Sequence, residues 1–357
     1  MFCMQGKTYT VESVTASHPD KICDQIVDAI LDAYLADDPR SRVALEAFGA
    51  HDILVVGGEV TSSIKIDEAA IARKIYFDEL GYEDPLSVTT NVIQQSPDIA
   101  QGVDTGGAGD QGIMYGYAIH ETPEFLPKGL VLVHALAKRL EELGANDPEC
   151  SWLMPRGKAH GKTQITVRDG RIVSVLVSCQ HTEVVKQDEI KEVLKKKLFQ
   201  PVLGDLNGME ILVNPTGRFV VGGFVCDTGL SGRKIMVDSY GGLVSHGGGA
   251  WSGKDPTKVD RSAAYMARFA AKNIIANGVA KDCLVSVAYA IGRAEPLMVH
   301  AESSDGKDLS KLVKDKFDFR PRAIIERLDL RRPIYKRTAA YGHFGRDGFP
   351  WEMVVRL

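Results

Sequence analysis

The residues best equipped for chemistry form one run, GGGAWSGKDPTKVDRS, from Gly247 to Ser262. Its glycines let backbone N–H groups turn towards an anion, and Lys254, Lys258 and Arg261 add positive charge. The apolar-periodic segment that follows reads as a helix, whose N-terminus points its positive end the same way. Asp255 and Asp260 add carboxylates suited to a magnesium ion. Together these groups describe a cradle for a polyphosphate.

Two familiar nucleotide motifs fit only in part. Gly248 to Lys254 opens like the P-loop G-x-x-x-x-G-K, but Asp255 stands where a hydroxyl must reach magnesium. Gly107 to Gly112 (GAGDQG) satisfies G-x-G-x-x-G, yet Met114-Tyr115-Gly116-Tyr117 follows where a dinucleotide fold would open a helix. Both motifs are rejected.

Three further groups are candidates. His18 and Asp20 lie at a helix start, where a capping role competes with binding of phosphate by one and metal by the other. Asn214 to Phe219 (NPTGRF) reads as a turn entering a strand, with Phe219 available to stack on a purine or to fill a core. Asp227 to Lys234 (DTGLSGRK) reads as a second polar turn entering a strand. Arg233 and Lys234 would face opposite sides of a regular strand, so either the backbone bends there or they serve different surfaces.

The elements that must position these groups recur. Ser17 and Asp20 predict a capping box, Pro19 suits a first helical turn, and Ile22, Ile26, Ala29, Ile30 and Ala33 give the apolar stripe. Strands at 42–48 and 53–62 and a helix at 67–80 complete a unit. The same order returns with a helix at 130–143, strands at 163–168 and 171–180 across Asp169-Gly170, and a helix at 186–198. It returns again with a helix at 261–277, strands at 284–290 and 298–303, and a helix at 309–317. Landmarks repeat roughly 120 residues apart. The expected fold is therefore α+β: three similar helix–hairpin–helix units, with pseudo-threefold symmetry.

Composition sets outer bounds. The 357 residues suffice for two or three domains, with 44% hydrophobic and 25% charged residues. A formal net charge of -4 argues against non-specific nucleic-acid binding. The six cysteines are scattered without a C-x-x-C pair, which suits reduced thiols. The start from Met1 to Lys7 has no signal-peptide core, and the longest apolar run, near 129–137, is too short for a bilayer. The expectation is a cytoplasmic protein with no membrane partner.

The stretches His18-Pro19-Asp20-Lys21, Gly107 to Gly112, Asn214 to Phe219 and above all Gly247 to Ser262 resemble the S-adenosylmethionine synthetase family, and the resemblance runs along almost the whole chain. It implies three domains (4–98, 107–220 and 222–352), ATP and L-methionine as substrates, and a homodimer or homotetramer with shared active sites. It also implies two Mg2+ per site and K+. Residue by residue, it implies ATP contacts from His18, Lys162, Arg218, Phe219, Asp227, Arg233, Lys234, Ala250 and Lys254, with His18, Lys162, Arg233 and Lys254 catalytic. It implies methionine contacts from Glu59, Gln95, Asp110, Asp227, Lys258 and Ile291, magnesium at Asp20 and Asp260, potassium at Glu46, and an entry loop from Gln95 to about Thr105. Ser17, His160 and Trp251 depart from the family's usual glycine, aspartate and phenylalanine, and the loop before GAGDQG is shorter than in many bacterial relatives.

The implied reaction is attack of the methionine sulfur on C5′ of ATP with loss of triphosphate, which is then cleaved to pyrophosphate and phosphate. A thioether needs no general base, so catalysis reduces to positioning and stabilisation of the departing charge. A phosphotransferase, which would release ADP or AMP, and a nucleotide-sensing subunit without turnover are the competing readings.

Overall fold

A computed structural model describes residues 8–94, 106–153 and 160–357. The fold is α+β, and all three repeated units are present. The chain opens with β1 (Thr8–Val14). The first unit follows as α1 (Pro19–Asp37), β2 (Arg42–Ala50), β3 (Ile53–Thr61) and α2 (Glu68–Arg73), and then β4 (Ser87–Ile93). After β5 (Gly112–Ile119) the second unit runs α3 (Lys128–Asn146), β6 (Gly161–Arg168), β7 (Arg171–Cys179) and α4 (Gln187–Leu194), and then β8 (Glu210–Val213). After β9 (Gly229–Leu230) the third runs α5 (Val259–Ala276), β10 (Asp282–Tyr289), β11 (Met298–Glu302) and α6 (Ser310–Lys316). The β6–β7 hairpin turns at Asp169 and Gly170, both with positive φ (50° and 73°), as its Asp-Gly sequence requires.

The sheets cross the sequence blocks. Their orders are β4-β3-β2-β9, β1-β6-β7-β8 and β11-β10-β5. Each hairpin therefore takes an extra antiparallel strand beside its first member from another part of the chain: β9 on β2, β1 on β6 and β5 on β10. A parallel strand follows the second member in two sheets, β4 on β3 and β8 on β7. This cyclic exchange stitches the three units together and brings the segment after β9 onto the first unit.

Alternation along β2 places Val43, Leu45 and Ala47 in the core and turns Glu46 and Phe48 outwards. Helix α5 is buried along most of its length and lies on β5. Gly116 makes that approach possible: a Cβ there would sit 2.0 Å from the carbonyl carbon of Ala267. Among the described residues five cysteines are free, and no helix is long and apolar enough to cross a membrane.

Three local expectations are corrected. The N-cap of α1 is His18 rather than Ser17, because the His18 ring accepts the Asp20 N–H, while the buried Ser17 hydroxyl has no partner among the described residues. The turn at Asn214 to Phe219 follows a strand, β8, instead of entering one. After β9 the chain turns at 231–234 into a short helical turn, Ile235–Asp238, not a strand.

Candidate active site

The site is built on the mouth of α1. His18 Nδ1 accepts the Asp20 N–H at 3.2 Å, so a neutral ring carries its proton on Nε2. That Nε2 is buried and unpartnered among the described residues. Burial, with His160, Lys234, Lys162 and Lys21 nearby, pushes the His18 pKa far below the usual histidine range, so the ring stays neutral. It is a buried N–H donor beside several cations, with no acceptor among the described residues.

The turn after β9 supplies much of that charge. Asp20 accepts the Leu230 N–H at 2.9 Å, pairs with Lys234, and lies 3.9 Å from Arg233. Arg233 and Lys234 thus converge on one carboxylate because the backbone bends at 231–234. Behind them, Lys21 is buried between Asp24 (2.8 Å) and Asp238 (2.6 Å). Asp24 also accepts the Gly232 N–H at 2.8 Å. Burial raises the pKa of both aspartates, Asp238 to about 7.

On the other side of His18, His160 packs edge-on to it at 5.0 Å and edge-on to Phe219 at 5.1 Å. His160 is buried, its Nε2 also lacks a partner among the described residues, and burial lowers its pKa to about 4, helped by Lys162 and opposed by Asp227. Phe219, Lys162 and Asp227 are therefore neighbours of the His18 mouth. Arg218 points elsewhere, paired with Glu183 on the surface.

The glycine-rich run closes the site along β2. Lys254 forms a bridge with Ala44, whose β3 neighbour is Glu59. Ala250 sits over Gly232 of the turn after β9, and a Cβ at Gly232 would come within 2.3 Å of it. Lys254 pairs with Asp260 at 2.7 Å, and a Cβ at Gly249 would collide with the Asp260 carboxylate. Asp255, which breaks the P-loop pattern, is a buried anchor: it accepts the Val43 and Thr257 N–H groups and binds Lys258 at 2.6 Å. Glu46 accepts the Ser231 hydroxyl, and burial raises its pKa. Asp110 lies two residues from Ala108, which bridges to the exposed Ile291. Gln95 and the loop to Thr105 lie outside the described residues.

Among the described residues, no cluster of three or more His, Cys, Asp or Glu side chains forms a metal cage. Magnesium does not require one, since it is commonly held by one or two carboxylates together with substrate phosphates. Asp20 and Asp260 fit that role: each carries a hard oxygen donor and is matched here by a lysine ammonium.

Reading the sequence alone overlooks Lys21, Asp24 and Ser231, which hold the turn after β9 against α1 and β2. The available signal was the four-residue spacing of Asp20, Asp24, Asp28 and Asp32 along α1, a charge on every turn of one helix face.

Comparison with known proteins agrees along the whole chain. Residues 6–100, 105–219 and 221–353 match the N-terminal, central and C-terminal domains of S-adenosylmethionine synthetase. The chain is 47% identical to an S-adenosylmethionine synthase of Sorangium cellulosum, covering 99% of this chain and 89% of that protein. It is 47% identical to that of Treponema denticola (96% and 95% covered) and 48% identical to that of Pseudothermotoga lettingae (97% and 96%).

Proposed function

Because the chain belongs to the S-adenosylmethionine synthetase family and is a methionine adenosyltransferase, we propose that its site makes S-adenosylmethionine by sulfur attack on C5′ of ATP with loss of the whole triphosphate. The observation that carries this reading is the neutral His18 ring, whose buried Nε2–H has no acceptor among the described residues and lies amid Lys21, Lys162, Arg233 and Lys234. A donor fixed in this way suits an oxygen that gains charge as a bond to carbon breaks. The sulfur becomes a cation and needs no base.

In this reading Phe219 receives the adenine side, Lys162, Arg233, Lys234, Ala250 and Lys254 line the phosphates, and Arg218 joins the ATP contacts on leaving Glu183. Glu59, Asp110 and Asp227 face the methionine ammonium and the nascent sulfonium, with Lys258 and Gln95 completing the amino-acid pocket and Ile291 packing near sulfur. Magnesium, held by Asp20 and Asp260, would supply further charge neutralisation. Glu46 beside Ser231 offers oxygen donors for potassium. The same cations serve the hydrolysis of bound triphosphate to pyrophosphate and phosphate. The blocks 4–98, 107–220 and 222–352 act as the three units of one catalytic chain.

The outward face of the β4-β3-β2-β9 sheet supports a homodimer. Phe48, Ile53, Val55, Ile93 and Leu230 are exposed there, with Phe48 directly opposite Val55 and Leu230. Glu46 and Glu59 share that face, so a second copy seated on it covers site residues as well as apolar surface.

The test is incubation of the purified protein with ATP, methionine, magnesium and potassium, followed by mass analysis. The expected products are S-adenosylmethionine, pyrophosphate and phosphate. ADP or AMP in their place would favour a phosphotransferase.

A further inference from the structure

We propose that the buried Asp28–Arg261 pair is the positioning element that sets Lys254 and Asp260 against the helix bearing His18. The proposal starts from a cost. Asp20, Asp24, Asp28 and Asp32 succeed one another by four along α1, a spacing at which like charges repel, and the first three are buried. Such a ladder persists only if each carboxylate is matched by donors, and each one holds a segment distant in the chain. Asp20 and Asp24 grip the turn after β9 through the Leu230 and Gly232 N–H groups. Asp32 grips the Tyr335 and Lys336 N–H groups. Asp28 takes the glycine-rich run.

The grip at Asp28 is bidentate. Asp28 and Arg261 are both 0% exposed. The carboxylate accepts both guanidinium ends, at 2.7 and 2.9 Å, and the Gly253 N–H at 2.8 Å. The same guanidinium donates to the carbonyls of Trp251 (3.0 Å) and Lys254 (3.2 Å), to the Thr338 hydroxyl (2.9 Å) and to the Tyr265 hydroxyl (3.0 Å). Gly253 is further fixed through its carbonyl, which accepts the Leu45 N–H at 3.0 Å. The backbone of Lys254 is therefore held from both sides, and Asp260 directly precedes Arg261 in the chain. One planar fork thus registers two groups of the phosphate and metal set to α1, a task that a lysine ammonium cannot reproduce.

This inference rests on the adenosyltransferase reading. Product formation by the wild-type enzyme tests that reading, and variant rates tested beside it test the inference. Arg261→Lys should lower kcat by about 100-fold, the typical cost of a misplacement of about 1 Å in a catalytic group, while the methionine KM changes by less than about threefold. Hydrolysis of added triphosphate should slow in parallel, because Lys254 serves both steps. Arg268→Lys is the comparator: Arg268 lies on the same helix in an equally buried pair, but holds only core segments. It should lower Tm with kcat per folded molecule within about twofold of wild type. Thr338→Val, a milder loosening of the same guanidinium, should lower kcat by about three- to tenfold with an intact fold, and it keeps the proposal testable if Arg261→Lys does not fold. The proposal is overturned if kcat in Arg261→Lys, or in Thr338→Val where only that variant folds, stays within twofold of wild type. Equal loss of kcat in Arg261→Lys and Arg268→Lys would also overturn it, because it would reduce the pair to general stability.

Discussion

Helix α5 and the mouth of α1 are equally buried and treat their polar atoms in opposite ways. Arg268 on α5 is bound at both ends by Glu352, and its remaining donors go to the carbonyls of Tyr117, Phe125 and Glu124. Lys272 adds a second cation at 2.7 Å. Burial alone would raise the Glu352 pKa, but Arg268 and Lys272 hold it below the usual value. At the α1 mouth, by contrast, Ser17 Oγ, His18 Nε2 and His160 Nε2 are buried without a partner among the described residues. Unmet hydrogen-bonding capacity is costly, so native chains concentrate it where a ligand completes it. One region spends its polar groups on the fold, and in the proposed reading the other keeps them for substrate.

Substitutions should separate the two regions. Glu352→Gln leaves Arg268 buried without an anion and should cost about 3–5 kcal/mol of stability, read by denaturant melts, while kcat per folded molecule is unchanged. A comparable fall in kcat would erase the distinction. His18→Asn should do the reverse, lowering kcat by about 100- to 1,000-fold with little change in stability or ATP affinity. His160→Ala removes edge contacts to His18 and Phe219. An aromatic pair is worth about 0.5–1.5 kcal/mol, so the KM for ATP should rise about 2- to 12-fold, and steady-state kinetics would show it.

The smallest effect is in pH. Asp238 is pushed up to about 7 by burial, against an unfolded value of about 3.9. A raised carboxylate contributes stability that is fully present below its unfolded pKa and lost as pH rises through the folded one. Below about pH 6.5 this trend is opposed by His18 and His160, whose lowered pKa values make Tm rise with pH, so Asp238→Asn should make Tm rise more steeply with pH between pH 5 and pH 7. Glu352 has the opposite sign, but its contribution is lost only in acid, below that window.

Much of the fold was legible because local rules and tertiary packing agree. The Asp169-Gly170 turn and the helix–hairpin–helix order follow from turn chemistry and apolar period, and both are present. The strands that join the units were not legible. β9 is only two residues long, and pairing of β1 with β6 spans most of the first half of the chain, so no local pattern announces either. The cap of α1 departs from the sequence pattern because a histidine ring takes the bond that a serine hydroxyl ordinarily takes. At the site, residue types point to a polyphosphate cradle in the glycine-rich run, which the proposed reading adopts. They could not announce that Arg233 and Lys234 meet on Asp20, which depends on a backbone bend.

The most direct test of the central claim is a rapid-quench single turnover with ATP labelled in its phosphates, in the presence of methionine, magnesium and potassium. S-adenosylmethionine and bound triphosphate should appear together in a one-to-one ratio, before pyrophosphate and phosphate. Pyrophosphate or ADP forming ahead of any sulfonium product would contradict it.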